Sequence, residues 1–150
     1  MSFPLPPPMR RALDLAAEAA RDGEVPVGAV ITLGDEVIAE SRNAMRGVFD
    51  PTAHAEMQAI RAAAEVLQTS RLDDCTLWVT LEPCAMCAAA IAIARVKALR
   101  FAAEDPKGGA VVHGPRLFSQ PTSHHQPEVL GGIGEAEAAA QLRGFFAQRR

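Results

Sequence analysis

His54-Ala55-Glu56 is followed by Pro83-Cys84-Ala85-Met86-Cys87, its first cysteine thirty positions after the histidine, so one imidazole, two thiols and one carboxylate occur in a short stretch of chain. Histidine and cysteine are zinc ligands. A structural zinc site closes all four tetrahedral positions with such residues, whereas a catalytic site keeps three and leaves the fourth to water. One His and two Cys make three, and Glu56 is the carboxylate left over. Zinc lowers the pKa of a bound water toward neutrality, and a neighbouring carboxylate then moves protons between that water and a substrate. His54, Cys84 and Cys87 are therefore the expected ligands of one Zn2+ per subunit, with Glu56 as the expected catalytic acid and base.

Each half of this pattern is weak alone. A C-x-x-C pair is also a redox motif or half of a structural zinc knuckle, and H-x-E arises by chance. In this order, with proline before the first cysteine, the two halves together resemble the signature of zinc nucleobase deaminases. The structural rival is a closed site that recruits His113, His124 or His125 as fourth ligand. Those histidines lie in an irregular segment, with no short ligand spacing to either cysteine.

At 150 residues the chain is long enough for one domain with its own core. The expected organisation is a flexible proline-rich leader over 1–8 and a single domain over 9–150. Three cysteines, two of them assigned to zinc, leave Cys75 over, which argues for a reducing cytoplasm and against a disulfide framework. Cys75 itself reads as a small buried hydrophobe. The first eight residues lack the basic and apolar regions of a signal peptide, and no apolar run approaches membrane-spanning length, so no membrane partner is expected. A formal net charge of −3 gives no support for a large nucleic-acid surface. Residues 141–150 nonetheless carry Arg143, Arg149 and Arg150 with no acid.

Periodicity places the motifs on elements. An amphipathic helix is expected over Met9–Arg21, a hairpin of strands over Val27–Leu33 and Val37–Ser41 about Gly34-Asp35, and a helix to Leu67 carrying His54 and Glu56 in its first turn. A strand over Thr76–Leu81 follows, then a helix opened by Pro83 and running to Ala94. Val96–Ala102 and Val129–Ile133 read as strands, and Glu135–Gln148 as a closing helix. Asp105–Pro127, rich in Gly, Pro, Ser and His, is a loop of the length that serves function. The alternation predicts an α/β fold, a three-layer α/β/α sandwich around a mixed sheet of about five strands.

Glu24-Val25-Pro26-Val27-Gly28-Ala29-Val30, Asp50-Pro51-Thr52-Ala53-His54-Ala55-Glu56 and Val79-Thr80-Leu81-Glu82-Pro83-Cys84-Ala85-Met86-Cys87 occur in that order. On these residues nearly everything after Met9 resembles the bacterial tRNA-specific adenosine deaminases, of the cytidine-deaminase-like fold. The resemblance implies a homodimer that converts the wobble adenosine of a tRNA anticodon stem-loop to inosine. By the same resemblance Asn43 hydrogen-bonds the target nucleotide, and Val27 and Ala55 contact the flipped base. Asp105 and Lys107 occupy a loop that approaches RNA, and Phe145-Phe146 an aromatic, basic C-terminal helix. One phenylalanine is expected to pack inward and the other to lie near RNA. Two rivals remain: a free nucleobase or nucleoside deaminase of the same fold, acting on guanine or cytosine, and a non-catalytic zinc-stabilised binding module.

Overall fold

The computed structural model describes residues 4–149. Residues 1–3 of the expected leader, and Arg150, lie outside the described residues. Helix α1 spans Pro7–Arg21 and opens two residues earlier than periodicity predicts. Its first-turn N–H groups have no intrahelical partner, so Pro7 and Pro8 sacrifice no hydrogen bond there. Strands β1 (Gly28–Leu33) and β2 (Glu36–Arg42) form the hairpin, α2 spans Ala55–Leu67, β3 Cys75–Leu81, and α3 Ala85–Ala94. Then come β4 (Ala98–Ala103), a 3-10 turn over Leu117–Ser119, β5 (Glu128–Leu130) and α4 (Glu135–Ala147).

The five strands form one mixed sheet in the order β2-β1-β3-β4-β5, with β1 antiparallel to both its neighbours and β3, β4 and β5 parallel. Side chains alternate across it with the period of two that strands impose. Ile31, Leu77, Val79, Leu99 and Phe101 join a core with Ala59 and Ala63 of α2 and Ile91 of α3. Val30, Trp78 and Ala102 face the other side, against Met9 and Leu13 of α1 and Ala138 of α4. The three-layer α/β/α expectation holds. Leu5 also packs against the second core. Gly28 shows how tightly α1 lies on the sheet: a Cβ there would sit 2.0 Å from the Ala12 carbonyl oxygen.

Three further boundaries differ from expectation for identifiable reasons. Pro83 does not open α3, because Cys84 is an extended cap (φ −74, ψ 177) and the helix begins one residue later. Arg95 closes α3 in the left-handed region and Val96 N–H returns to the Ile91 carbonyl, which delays β4 to Ala98. Strand β5 stops at Leu130 rather than Ile133. The backbone at Gly131 presses on the Phe101 ring, where a Cβ would approach to 2.5 Å, and Gly132 turns away at φ +87.

This topology gathers one end of the sheet. Residues entering β1, leaving β2 and leaving the parallel strands β3 and β4 all emerge there, with Asn43 N–H bonded to the Val27 carbonyl and Leu81 level with Ala103. The chemistry-bearing motifs lie on those exits.

Candidate active site

His54 caps α2 and Cys84 caps α3, both in extended conformation, and Cys87 lies in the first turn of α3. Helix N-termini present unpaired N–H groups and the positive end of the helix dipole, which favours thiolates and other negative charge there. The ligand atoms of His54, Cys84 and Cys87 all lie within 4.8 Å of one another. His54 Nδ1 is 3.7 Å from Cys84 Sγ and 3.5 Å from Cys87 Sγ. Zinc arms of ~2.0–2.1 Å to nitrogen and ~2.3 Å to sulfur at tetrahedral angles set an N···S separation of about 3.6 Å, so the group fits a zinc ion without rearrangement.

No histidine of the long loop joins this group among the described residues. His113 Nδ1 is 2.8 Å from Glu82 Oε1, and His125 Nε2 is 2.6 Å from the Val96 carbonyl oxygen. His124 lines a separate depression beside Ala89, Ile93 and Leu117. Among the described residues the group that could hold a metal ion here is therefore His54, Cys84 and Cys87.

A cavity of ≈ 200 Å³ opens beside them, lined by Val25, Val27, Asn43, Met45, His54, Glu56, Leu81, Glu82, Cys84, Asp105 and Gly108. Glu56, in the first turn of α2, is only 4% exposed. Burial pushes its carboxyl up to about 7, against the opposing pull of its own backbone N–H. Cys84 is pushed down to about 5, first by the hydrogen bond from Cys87, and Cys87 rises as the donor of that bond. One thiolate is thus already favoured before any metal adds its charge.

The other expected residues divide. Asn43 Oδ1 accepts the Ala55 N–H at 2.9 Å and its Nδ2 donates to the Val25 carbonyl at 3.1 Å, leaving one amide hydrogen for a ligand. Val27 lines the cavity, whereas Ala55 is fully buried and lies outside its lining. Asp105 walls the cavity, and its Oδ1 accepts the N–H groups of Lys107 and Gly108. Lys107 instead lines a neighbouring cavity of ≈ 440 Å³ with Val25, Leu81, Glu104, Asp105, Leu142 and Phe146. Phe145 is buried and Phe146 half-exposed, their rings meeting edge to face at 5.3 Å. Arg149 folds back over the Phe145 ring, 3.6 Å from its centroid.

Sequence reasoning missed Glu82. Its side chain is fully buried, with Oε2 accepting the N–H groups of Val111, Val112 and His113 and Oε1 that of Asp105. Burial alone would raise this carboxyl, but the Asp105 N–H, His113 and the other N–H groups hold it below the ordinary range. Gly109 is required here, since a Cβ would lie 2.4 Å from the carboxylate. The signals available were an acid ending an apolar strand directly before Pro83, and the Gly108-Gly109 pair. Glu82 fastens the loop that walls the cavity to the strand leading into Cys84.

Glu82→Gln should consequently loosen the loop, because an amide NH2 cannot replace a carboxylate oxygen facing several N–H groups. Unpaired buried donors cost about 1–3 kcal/mol each. For a chain of this size, each kcal/mol lowers the unfolding midpoint by about 2–4 °C. Thermal unfolding checks this; an unchanged midpoint would show that the clamp contributes nothing to stability.

Residues 7–150 match the MafB19-like deaminase family. A tRNA-specific adenosine deaminase of Agrobacterium fabrum is 53% identical over 142 residues, which span 95% of this chain and 93% of the relative. A solved structure from work on A-to-I editing by tRNA:A34 deaminases at the wobble position of transfer RNA superposes with a TM-score of 0.89 at 52% identity, covering 90% of this chain and 98% of that one. A guanine deaminase structure from Bacillus subtilis gives a TM-score of 0.63 at 48% identity, over 65% of this chain and 62% of that one. Sequence, fold and a His-Cys-Cys group beside a carboxylate-bearing cavity agree: the chain belongs to the MafB19-like deaminase family and, within it, to the tRNA-specific adenosine deaminases.

Proposed function

We propose that this chain hydrolytically deaminates the wobble adenosine of a tRNA anticodon loop to inosine, with His54, Cys84 and Cys87 holding one Zn2+ and Glu56 moving protons. The carrying observation is the buried Glu56 carboxyl in one cavity with an open three-ligand group of zinc dimensions. Bound there, zinc supplies Lewis-acid activation of water at neutral pH. Glu56 takes a proton from the attacking water and delivers it to adenine N1 as the new C–O bond forms at C6. Glu56 then carries the second proton to the departing amine, so water enters and ammonia leaves in balance. Asn43, tethered at both ends, offers its remaining amide hydrogen to the target nucleotide.

Adenine C6 is out of reach within a base stack, and a hairpin loop presents unpaired bases at little cost. The ≈ 440 Å³ cavity with Lys107 and Phe146 adjoins the reaction cavity through Val25, Leu81 and Asp105, giving room for more than a free base. Phe146, half-exposed, is the phenylalanine suited to stack there. A homodimer is supported by the apolar composition of α3, whose Ile93 is 69% exposed. The three free cysteines suit a cytoplasmic location.

The test is incubation with an anticodon stem-loop and, separately, with free guanine and cytosine, scoring inosine and ammonia. Inosine in the stem-loop, with binding that weakens as salt rises, is expected. Turnover of guanine or cytosine with none of the stem-loop would replace this reading by the small-substrate rival.

A further inference from the structure

The loop from β2 to α2 is a rigid unit with an aromatic ring at its tip. Ala44 N–H donates to the Ala53 carbonyl, Val48 N–H to Ala44, and Asp50 N–H to Met45, which closes the loop on itself. From outside, the buried carboxylate of Glu24 accepts the N–H groups of Arg46 and Gly47, the latter at 2.8 Å. At the tip Phe49 is 94% exposed and sits at φ +53, left-handed backbone that is unfavourable for a bulky L-residue. A ring that buries almost none of its surface cannot repay that strain through folding. Strain of this kind persists where the surroundings enforce it, and such places cluster at functional sites.

Its position gives the ring a partner. The same loop sends Asn43 and Met45 into the reaction cavity and ends on His54. Phe49 borders a depression lined by Asp22, Gly23, Glu24, Arg46 and Gly47, one residue from Val25 of the reaction cavity. The guanidinium of Arg149 reaches the same place, 3.9 Å from where a Gly23 Cβ would stand. Among the described residues nine cations have no carboxylate within 4.0 Å, Arg46, Lys107 and Arg149 near the cavity among them, whereas Arg10, Arg11, Arg42, Arg71 and Arg100 each have at least one. Unpaired cations thus accompany the exposed ring around the cavity, although the chain as a whole is acidic.

We propose that Phe49 is a stacking platform for an unpaired nucleobase flanking the reacting nucleotide, with Arg46 meeting the adjoining phosphate. This rests on the RNA reading above. Stacking uses the face that every base has, so the platform tolerates any base at that position. Single-stranded RNA is favoured over a protein partner because Arg46 and Arg149 reach the depression beside the ring with no carboxylate partner, while Asp22 there is paired with Arg42 and Glu24 is committed to the loop N–H groups. Val48, 58% exposed, is the neighbouring apolar side chain.

Phe49→Ala and Phe49→Tyr, assayed on an anticodon stem-loop, test it. Loss of one base–aromatic stack corresponds to about a 5- to 150-fold rise in KM. That rise is expected for Phe49→Ala, with the loss falling on KM rather than kcat, and Phe49→Tyr should recover it. The unfolding midpoint and zinc content should not move. A 2-aminopurine placed in turn at each loop position should be quenched by the parent at one position and lose that quenching with Phe49→Ala. Parent-like KM in Phe49→Ala, no recovery in Phe49→Tyr, or a change in self-association by sedimentation would each overturn the proposal. A parent inactive on the stem-loop would instead overturn the RNA reading itself, and the platform with it.

Discussion

Glu56→Ala is expected to lower single-turnover deamination by about 10³-fold or more while leaving zinc content intact. A positioned general acid or base contributes typically 10²–10⁴-fold, and this one residue is asked to move protons in both halves of the reaction. No second carboxylate stands ready to replace it. Glu82, which also borders the cavity, has its oxygens committed to N–H groups of the loop and to His113. Asp105 uses Oδ1 to hold its own turn. Removing Glu56 should not unfold the domain, because its carboxyl is buried at a site that disfavours its charge. Single-turnover rate and zinc content decide the matter, and near-parental turnover would remove Glu56 from the mechanism.

Cys87→Ser should produce the second large effect, on metal and stability together. Cys87 is fully buried in the first turn of α3 and its Sγ is 3.5 Å from His54 Nδ1, so it has no freedom to be replaced by a neighbouring donor. A ligand that binds only the folded state stabilises it, by about 2.7 kcal/mol at a hundredfold excess over Kd. At about 2–4 °C per kcal/mol, the variant should lose zinc and unfold about 5–10 °C lower. Treating the parent with a chelator should give the same shift. Cys75→Ser is the control, since Cys75 lies buried at the start of β3 and outside the three-residue group. Zinc content that followed Cys75 instead would show the ligand set to be wrong.

Strands and helices were legible in the chain because each depends on residues close in sequence, and the His-Cys-Cys group, although 30 to 33 positions separate the histidine from the cysteines, because donor type and motif order mark it. Alternation in Val79-Thr80-Leu81 and the helical spacing about Leu13 register which face of a single element is apolar, and that face needs only a partner layer of some kind. Boundaries were less legible where a distant contact set them. Strand β5 ends where Gly131 meets Phe101, thirty residues earlier, and no local signal marks that meeting. Phe145 and Phe146 show the same division. Adjacent residues on a helix point about 100° apart, so one facing inward was predictable. Which one faced inward depended on where α4 settled against β4 and α1.

By itself the sequence determined the chemistry: donor types, their order, and a carboxylate two residues from the histidine are covalently encoded and survive any detail of packing. Tertiary structure alone decided what surrounds that chemistry. The Glu82 clamp joins residues 23 to 31 positions apart, and the Glu24 anchor beneath Phe49 reaches across 22 and 23. Such contacts depend on the sheet order that brings the start of β1 and the ends of β2, β3 and β4 to one end of the sheet. Periodicity records how one element is buried. It carries no information about which buried carboxylate will meet which loop, because that is settled by the packing of all the elements at once.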